Sequence, residues 1–263
     1  PGAPSPGTRR TGRGSSATSP ASPSGKARAP RVVAQWLPEV VGRSMPAQLF
    51  LHQLQLGPMQ NFVYLVGTEG QRDVVVVDPA WDVDAIEKTC VIHGKRLCGI
   101  LLTHSHKDHT NGVGELLARR DLPVYASRSE IEFSDELKTF GDALRPLGSG
   151  DPVPLGGVAA KVILTPGHTP GSQCLYAADA LLSGDTLFVN GCGRCDLRGG
   201  DPGQMYATLH QTLRRLPGTT RLFPGHDYGD VPVSSLDREA TRNPYFQLKD
   251  SASFVAYRMR PRT

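Results

Sequence analysis

Residues 103–109 read THSHKDH, placing His104, His106, Asp108 and His109 within a single turn of chain. Imidazole and carboxylate donors without a thiolate suit zinc, iron or manganese. A His-rich polar loop is the plain alternative, but packing has little use for so many titratable groups side by side. Three distant segments carry the same donor types: TPGHTPGS holds His168, SGDTLF holds Asp185 and FPGHDY holds His226. Each follows an expected strand, in a Gly-rich stretch where the backbone can turn sharply. Five histidines and two aspartates suffice for two adjacent divalent ions. One arrangement puts His104, His106 and His168 on the first ion and Asp108, His109 and His226 on the second, with Asp185 bridging. A catalytic site of this kind keeps a position open for water, and metal-bound water ionises near neutral pH. The chemistry expected is hydrolysis. The other histidines read as structural or solvated: His52 alternates with apolar neighbours, His93 closes a helix before Gly94, and His210 sits in a late helix.

The elements that must carry these donors are legible as runs of apolar residues. QLFLHQLQL, NFVYLVG and DVVVVD are bounded by Gly, Pro or Asn and predict strands. Residues 82–94 open with Asp82 and Asp84 and close on Gly94, which predicts a helix. LCGILLTH is a buried strand running straight into the histidines, and 112–120 is the next helix. PVYAS predicts a strand, 129–140 a helix and 155–165 a strand. SQCLYAA and ALLSGD form two more strands joined at Ala178-Asp179. Residues 201–216 repeat Met205, Leu209, Leu213 and Leu216 at helical spacing. TRLFPGHDY is a last strand ending in a loop, and the chain after Ser234 is mostly helical. Active sites of layered α/β proteins collect at such strand ends.

The 263 residues, 38% hydrophobic and 21% charged, fit one large soluble domain. Residues 1–44 are Pro-, Gly-, Ser- and Arg-rich without apolar periodicity, which predicts a disordered tail followed by a hydrolase domain at 45–263. An organelle transit peptide shares the Arg and Ser bias but needs an amphipathic helix that Pro and Gly would break, so a working start at Met45 fits better. That tail holds seven basic residues against Glu39 alone, a net +6 out of a chain total of +4, so the remainder sums to −2. A nucleic-acid partner is therefore not expected. No run approaches a membrane span. The five cysteines, Cys90, Cys98, Cys174, Cys192 and Cys195, are odd in number and scattered, which argues against a disulfide scaffold and for a cytoplasmic location.

Together the segments VVDP (76–79), THSHKDH, TPGHTPGS, SGDTLF and PGHDY, in this order, resemble the metallo-β-lactamase fold superfamily and its glyoxalase II-like branch. The resemblance covers residues 48–228. It implies an α/β fold, an αββα sandwich of two mixed sheets with the metals at one edge. It also implies that Asp78 of VVDP supports the metal loop by hydrogen bonding. The residues alone allow equally a turn aspartate before Pro79. GCGRCDL (191–197) looks like the loop beside the glutathione-binding face in glyoxalase II-like enzymes and persulfide dioxygenases. Arg194 there matches a position where a cation meets an anionic thiol substrate, and Tyr228 of PGHDY joins it as a substrate-side residue. Cys192 and Cys195 make a formal C-x-x-C, outside a thioredoxin-like context and without a second pair to complete a zinc site.

The activity this implies is hydrolysis of an acyl thioester, such as a hydroxyacylglutathione, by a metal-bound hydroxide. Asp108 would orient the hydroxide as well as ligate, two divalent ions would serve as cofactors, with zinc preferred over iron or manganese, and the partner is a small thioester or thiol-derived substrate. The tail after His226 differs from the helical region of true glyoxalase II and looks more like persulfide dioxygenases. An iron-dependent glutathione persulfide dioxygenase, with metal on His104, His168 and Asp185, is therefore the alternative. A β-lactamase or lactonase, a nuclease and a non-catalytic metal-binding protein are the further classes weighed. The loop around Arg194, the −2 core and the full ligand set argue against them in turn.

Overall fold

The computed structural model describes residues 47–261. The expectations for residues 1–44 and for a start at Met45 lie outside the described residues. Thirteen strands are described. The first six are β1 (Leu49–Leu56), β2 (Asn61–Thr68), β3 (Asp73–Val77), β4 (Arg96–Leu101), β5 (Val124–Ser127) and β6 (Leu144–Leu147), and they form one sheet in chain order. β1, β2 and β3 are antiparallel neighbours, whereas β3 through β6 are parallel, so the sheet is mixed. The later strands are β7 (Ala160–Leu164), β8 (Gln173–Ala177), β9 (Ala180–Gly184), a small hairpin of β10 (Leu187–Phe188) and β11 (Gly191–Cys192), β12 (Arg221–Pro224) and β13 (Ser234–Ser235). The second sheet runs β13-β12-β9-β8-β7, with β12 and β9 parallel and the rest antiparallel.

Period-2 alternation shows how the layers stack. In β2 and β3, Val63, Leu65, Val74 and Val76 join the outer core under the helices, while Phe62, Tyr64, Val66, Val75 and Val77 join the core between the sheets. In the second sheet, Leu182 and Phe223 face that shared core, and Leu181 and Leu222 face the C-terminal helices. Both faces of each central strand are thus dry, which is why DVVVV and ALLSG read as continuous apolar runs. Each fully buried Val or Leu contributes roughly 1.5–3 kcal/mol. The arrangement is the αββα sandwich expected.

Helix α1 (Val83–Ile92) starts on Asp82, whose side chain accepts from Ala85 N–H, and packs its Val83, Ile86 and Cys90 face on the first sheet. The histidine run itself supplies a one-turn helix, α2 (Lys107–Thr110), before α3 (Val113–Arg119). The single helix expected at 129–140 is instead two, α4 (Arg128–Phe133) and α5 (Asp135–Lys138). Ser134 breaks it because its hydroxyl accepts from Leu137 N–H and starts the second turn. The strand expected at 155–165 begins only at Ala160, since Gly156 and Gly157 take positive φ. Residues 201–216 do bury Met205, Leu209 and Leu213, but as α6 (Pro202–Ala207) followed by a π-helical turn and a 3-10 turn. Helices α7 (Leu236–Arg242), α8 (Pro244–Gln247) and α9 (Ser251–Arg258) complete the outer layer. No described helix is long and apolar enough to cross a membrane.

Candidate metal centre

The donors named from the sequence gather at one edge of the sandwich, five of them at strand ends and Asp108 and His109 in α2. His104 and His106 follow β4, His168 follows β7, Asp185 follows β9 and His226 follows β12. Backbone bonds close the edge from both sides: Gln173 N–H donates to Thr103 O, Phe62 N–H to Gly225 O and Gly225 N–H to Gly184 O. The histidine run changes conformation at His106, which is extended (φ −65°, ψ 143°) and precedes the α2 turn. That change lets residues 104 and 106 serve one side and Asp108 and His109 the other.

Among the described residues three donor groups result, one of them Asp78, His104 and His109. The donor atoms of His104, His106 and His168 lie within 4.8 Å of one another, as do those of Asp108, His109 and His226. His106 Nδ1 is 2.9 Å from His168 Nε2, and His109 Nε2 is 3.1 Å from His226 Nε2. Asp185 spans the gap, with Oδ1 3.2 Å from His109 Nε2 and 3.4 Å from His226 Nε2, and Oδ2 3.5 Å from His168 Nε2. Asp108 Oδ2 lies 3.4 Å from His226 Nε2. Tetrahedral ligands on bonds of about 2.0–2.1 Å stand roughly 3.3 Å apart, so these spacings suit donors shared by an ion.

Four of the five imidazoles turn Nε2 inward because another group holds Nδ1. His168 Nδ1–H donates to Arg194 O at 2.7 Å and His226 Nδ1–H to Met59 O at 2.8 Å. His109 Nδ1 meets Asp78 Oδ2 at 3.0 Å, and His104 Nδ1 meets Thr103 Oγ1 at 3.0 Å. Asp78 also accepts from Thr103 N–H and Thr103 Oγ1–H, at 2.7 and 2.6 Å. Both its oxygens are engaged by Thr103 and His109, and the residue itself sits at φ 51° in the turn before Pro79, so it both turns the chain and backs the imidazoles. The fit to cations is visible in what remains unmet: His104 Nε2 and Asp185 Oδ1 are buried without a hydrogen-bond partner. Buried polar atoms are rarely left so unless they serve a ligand.

Burial drives His104 well below the usual imidazole range, lowers His106, and brings His168 down to about 4, leaving this cluster neutral with lone pairs available. In the other cluster burial also opposes charge, but neighbours override it. The Asp185 and Asp78 carboxylates hold His109 well above its ordinary value, and Asp108 and Asp185 raise His226 to about 9. Asp108 falls to about 2 despite its burial, chiefly through His226 and His109, and Asp185 is likewise held well below the carboxylate range. Without an ion, protons carry the positive charge that this cluster demands.

Two positions from the substrate side also reach the opening. Arg194 and Tyr228 line a cavity of about 510 Å³ over the centre, with Met59, Phe188 and Leu197 as its apolar walls. Tyr228 stacks on His226, ring centroids 4.5 Å apart and planes 7° from parallel. The Arg194 guanidinium forms a two-point pair with Asp196, at 2.9 and 2.8 Å. Its main-chain carbonyl, which sets the His168 tautomer, is a role the sequence did not show. Asn61 was also missed. Its Nδ2 donates to Asp108 O and Oδ2 at 3.0 and 3.1 Å, and its Oδ1 accepts from Trp81 Nε1–H at 2.7 Å. In sequence it marks only the start of a strand. Glu130, 1% exposed, accepts from Ser105 N–H and Oγ–H, Thr169 Oγ1–H and Gly171 N–H, tying the His104 and His168 loops together. A glutamate in a short polar helix carries no signal of such a role. His52, His93 and His210 stand apart from the centre, His52 and His93 with rings 4.4 Å apart and His210 stacked on Tyr206.

The family model of the metallo-beta-lactamase superfamily matches residues 56–226. The chain belongs to the metallo-beta-lactamase superfamily. It is 34% identical over 200 residues to the probable polyketide biosynthesis zinc-dependent hydrolase BaeB of Bacillus velezensis, covering 76% of this chain and 88% of that protein. It is 39% identical over 188 residues to the hydroxyacylglutathione hydrolase of Nitrosococcus oceani, covering 68% and 67%. A third relative is the mitochondrial persulfide dioxygenase ETHE1 of Mus musculus, 31% identical over 205 residues, 77% and 78% of the two chains. The chain is a metallohydrolase of this superfamily, and its clustered His and Asp donors suit divalent metal.

Proposed function

We propose that this metallo-beta-lactamase superfamily chain hydrolyses an acyl thioester on a carrier thiol, with glutathione as the first carrier to test. His104, His106 and His168 would hold one zinc ion, Asp108, His109 and His226 a second, with Asp185 between them. The observation that carries the reading is the placement of the Asp185 carboxylate between two complete donor clusters. Bound ions would lower the pKa of a water towards neutrality and polarise the thioester carbonyl.

The chain's own residues supply the rest. Asn61 holds the Asp108 carboxylate at 3.1 Å, where it can accept a hydrogen bond from the attacking water and orient it. Met59, Phe188 and Leu197 keep the acyl side apolar, and the flat face of Tyr228 walls the cavity over His226. A thiolate leaves without needing a proton, so the reaction requires no separate general acid. A carboxylate on the carrier would be met by Arg194, which must exchange Asp196 for it.

Purified protein is expected to release free thiol from S-lactoylglutathione, to carry two zinc ions per chain, and to lose turnover on chelation and regain it with zinc. Full turnover by metal-free protein would sink the mechanism. Oxygen uptake with glutathione persulfide, without thioester cleavage, would instead assign a persulfide dioxygenase activity, the one the ETHE1 relative is named for.

A further inference from the structure

The chain turns sharply after β3, and Trp81 in that turn has φ +65°, a conformation rare for a bulky side chain. Its main-chain N–H donates to Asn111 Oδ1 at 2.7 Å, which ties it to the end of α2. The ring packs on Gly57 in the turn between β1 and β2, so closely that an added Cβ there would come within 2.2 Å of it. Strain of this kind persists only where the surroundings over-determine it, and it concentrates at functional sites. Trp81 is 38% exposed, so burial of the ring does not account for the arrangement.

What the arrangement fixes is the indole N–H. It donates to Asn61 Oδ1 at 2.7 Å, and Asn61 is 1% exposed. Asn61 Nδ2 donates in turn to Asp108 O and Oδ2, at 3.0 and 3.1 Å. All three hydrogen bonds need the amide in one orientation. Turned over, its oxygen would face the Asp108 oxygens and its NH2 would face the indole N–H. Held at both ends, it keeps the Asp108 carboxylate beside His109 and His226, whose Nε2 atoms lie 3.5 and 3.4 Å from Oδ2. His104 and His168 are held by other groups, Thr103 Oγ1 and Arg194 O.

We propose that Trp81 is a positioning residue for the Asp108, His109 and His226 half of the metal centre, acting through the Asn61 amide without itself ligating. This role rests on Asp108 being a metal ligand, as proposed above.

The test is stepwise zinc binding to the full chain, measured by chelator competition, with Asp108→Asn marking the binding step that belongs to that half. Trp81→Phe keeps an aromatic ring and removes the N–H. It should weaken the marked step by roughly three- to ten-fold, the loss of one neutral hydrogen bond, and leave the other step unchanged. Asn61→Ala removes the link, so adding Trp81→Phe to it should weaken that step no further. A ring with a purely structural role would act on both steps, and its effect would persist without Asn61. Either result overturns the role of Trp81, as does a Trp81→Phe chain that binds both ions like the wild type while Asp108→Asn does not. Asp108→Asn that weakens neither step overturns the ligand assignment, and the role of Trp81 with it. Should Trp81→Phe fail to fold, benzothienylalanine at position 81, which keeps the shape of the ring and lacks the N–H, takes its place.

Discussion

Each inward-facing Nε2 is bought by a fixed Nδ1, so the groups behind the imidazoles matter nearly as much as the imidazoles themselves. Asp78 is the clearest case, because it orients His109 directly and His104 through Thr103. Asp78→Asn keeps the shape but loses one acceptor oxygen, and metal affinity measured by chelator competition should fall roughly 10–100-fold. The two clusters should also load at different acidities. His104, His106 and His168 are already neutral near pH 7, whereas His226 gives up its proton only around 9 when no ion is present. Titrating metal into ion-free protein should therefore fill one ion without much proton release at pH 7. The second should release protons and tighten as pH rises towards 9. Equal proton release for both ions would contradict these assignments. The thiols behave in the opposite sense to a redox pair. Burial pushes Cys90, Cys174 and Cys195 up to about 11. The folded chain keeps these protons where an unfolded chain would lose them, so stability should decline as pH rises from about 9 towards 11. Iodoacetamide should modify Cys195 slowly at pH 8, and rapid labelling of the native protein would refute its burial.

At the level of elements, the centre depends on loops that approach too closely for ordinary side chains. Gly184, at φ +49°, ends β9 where an added Cβ would lie 2.3 Å from Thr103 Oγ1. Gly184→Ala must either strain the backbone or push the two strand ends apart, at roughly 1–3 kcal/mol in thermal unfolding with loss of bound metal. Glu130 acts on the other side, from α4, by joining Ser105 to Thr169 and Gly171. Glu130→Ala leaves buried donors unmet and should cost about 2–4 kcal/mol, with metal content falling in the soluble fraction. Strands were the easiest elements to read, since apolar runs bounded by Gly, Pro and Asn are a local property. Breaks inside helices were harder. Ser134 divides α4 from α5 through its hydroxyl, and the turn after Thr208 widens where its hydroxyl holds Pro166 O, 42 residues away. Neither partner shows in a local window.

Across residues 47–261, two mixed sheets share one dry core and bring the candidate metal donors to a single edge. The donors come from both sheets, so ions bound there join the halves of the sandwich. Anything that binds only the folded state adds stability by mass action, about 2.7 kcal/mol at a free concentration a hundred times the dissociation constant. Chelation should lower the unfolding midpoint, and restoring zinc should recover it. An unchanged midpoint would mean that the folded chain does not bind the ions in preference to the unfolded one.

The sequence by itself determined the kind of chemistry. Residue type settles which atoms can donate to a metal, and the spacing of THSHKDH after a buried strand settles that four of them emerge together. The order of the five motifs was enough to indicate the sandwich. The sequence offered the division of donors around Asp185 as one arrangement, whereas only the tertiary structure supplied its distances, the ring nitrogen each histidine presents, and the contacts of Asn61 and Glu130. These depend on distances of a few ångströms between residues as far apart as His109 and His226, 117 positions along the chain. Such distances are set by how two sheets pack, and no local pattern of residue types encodes them.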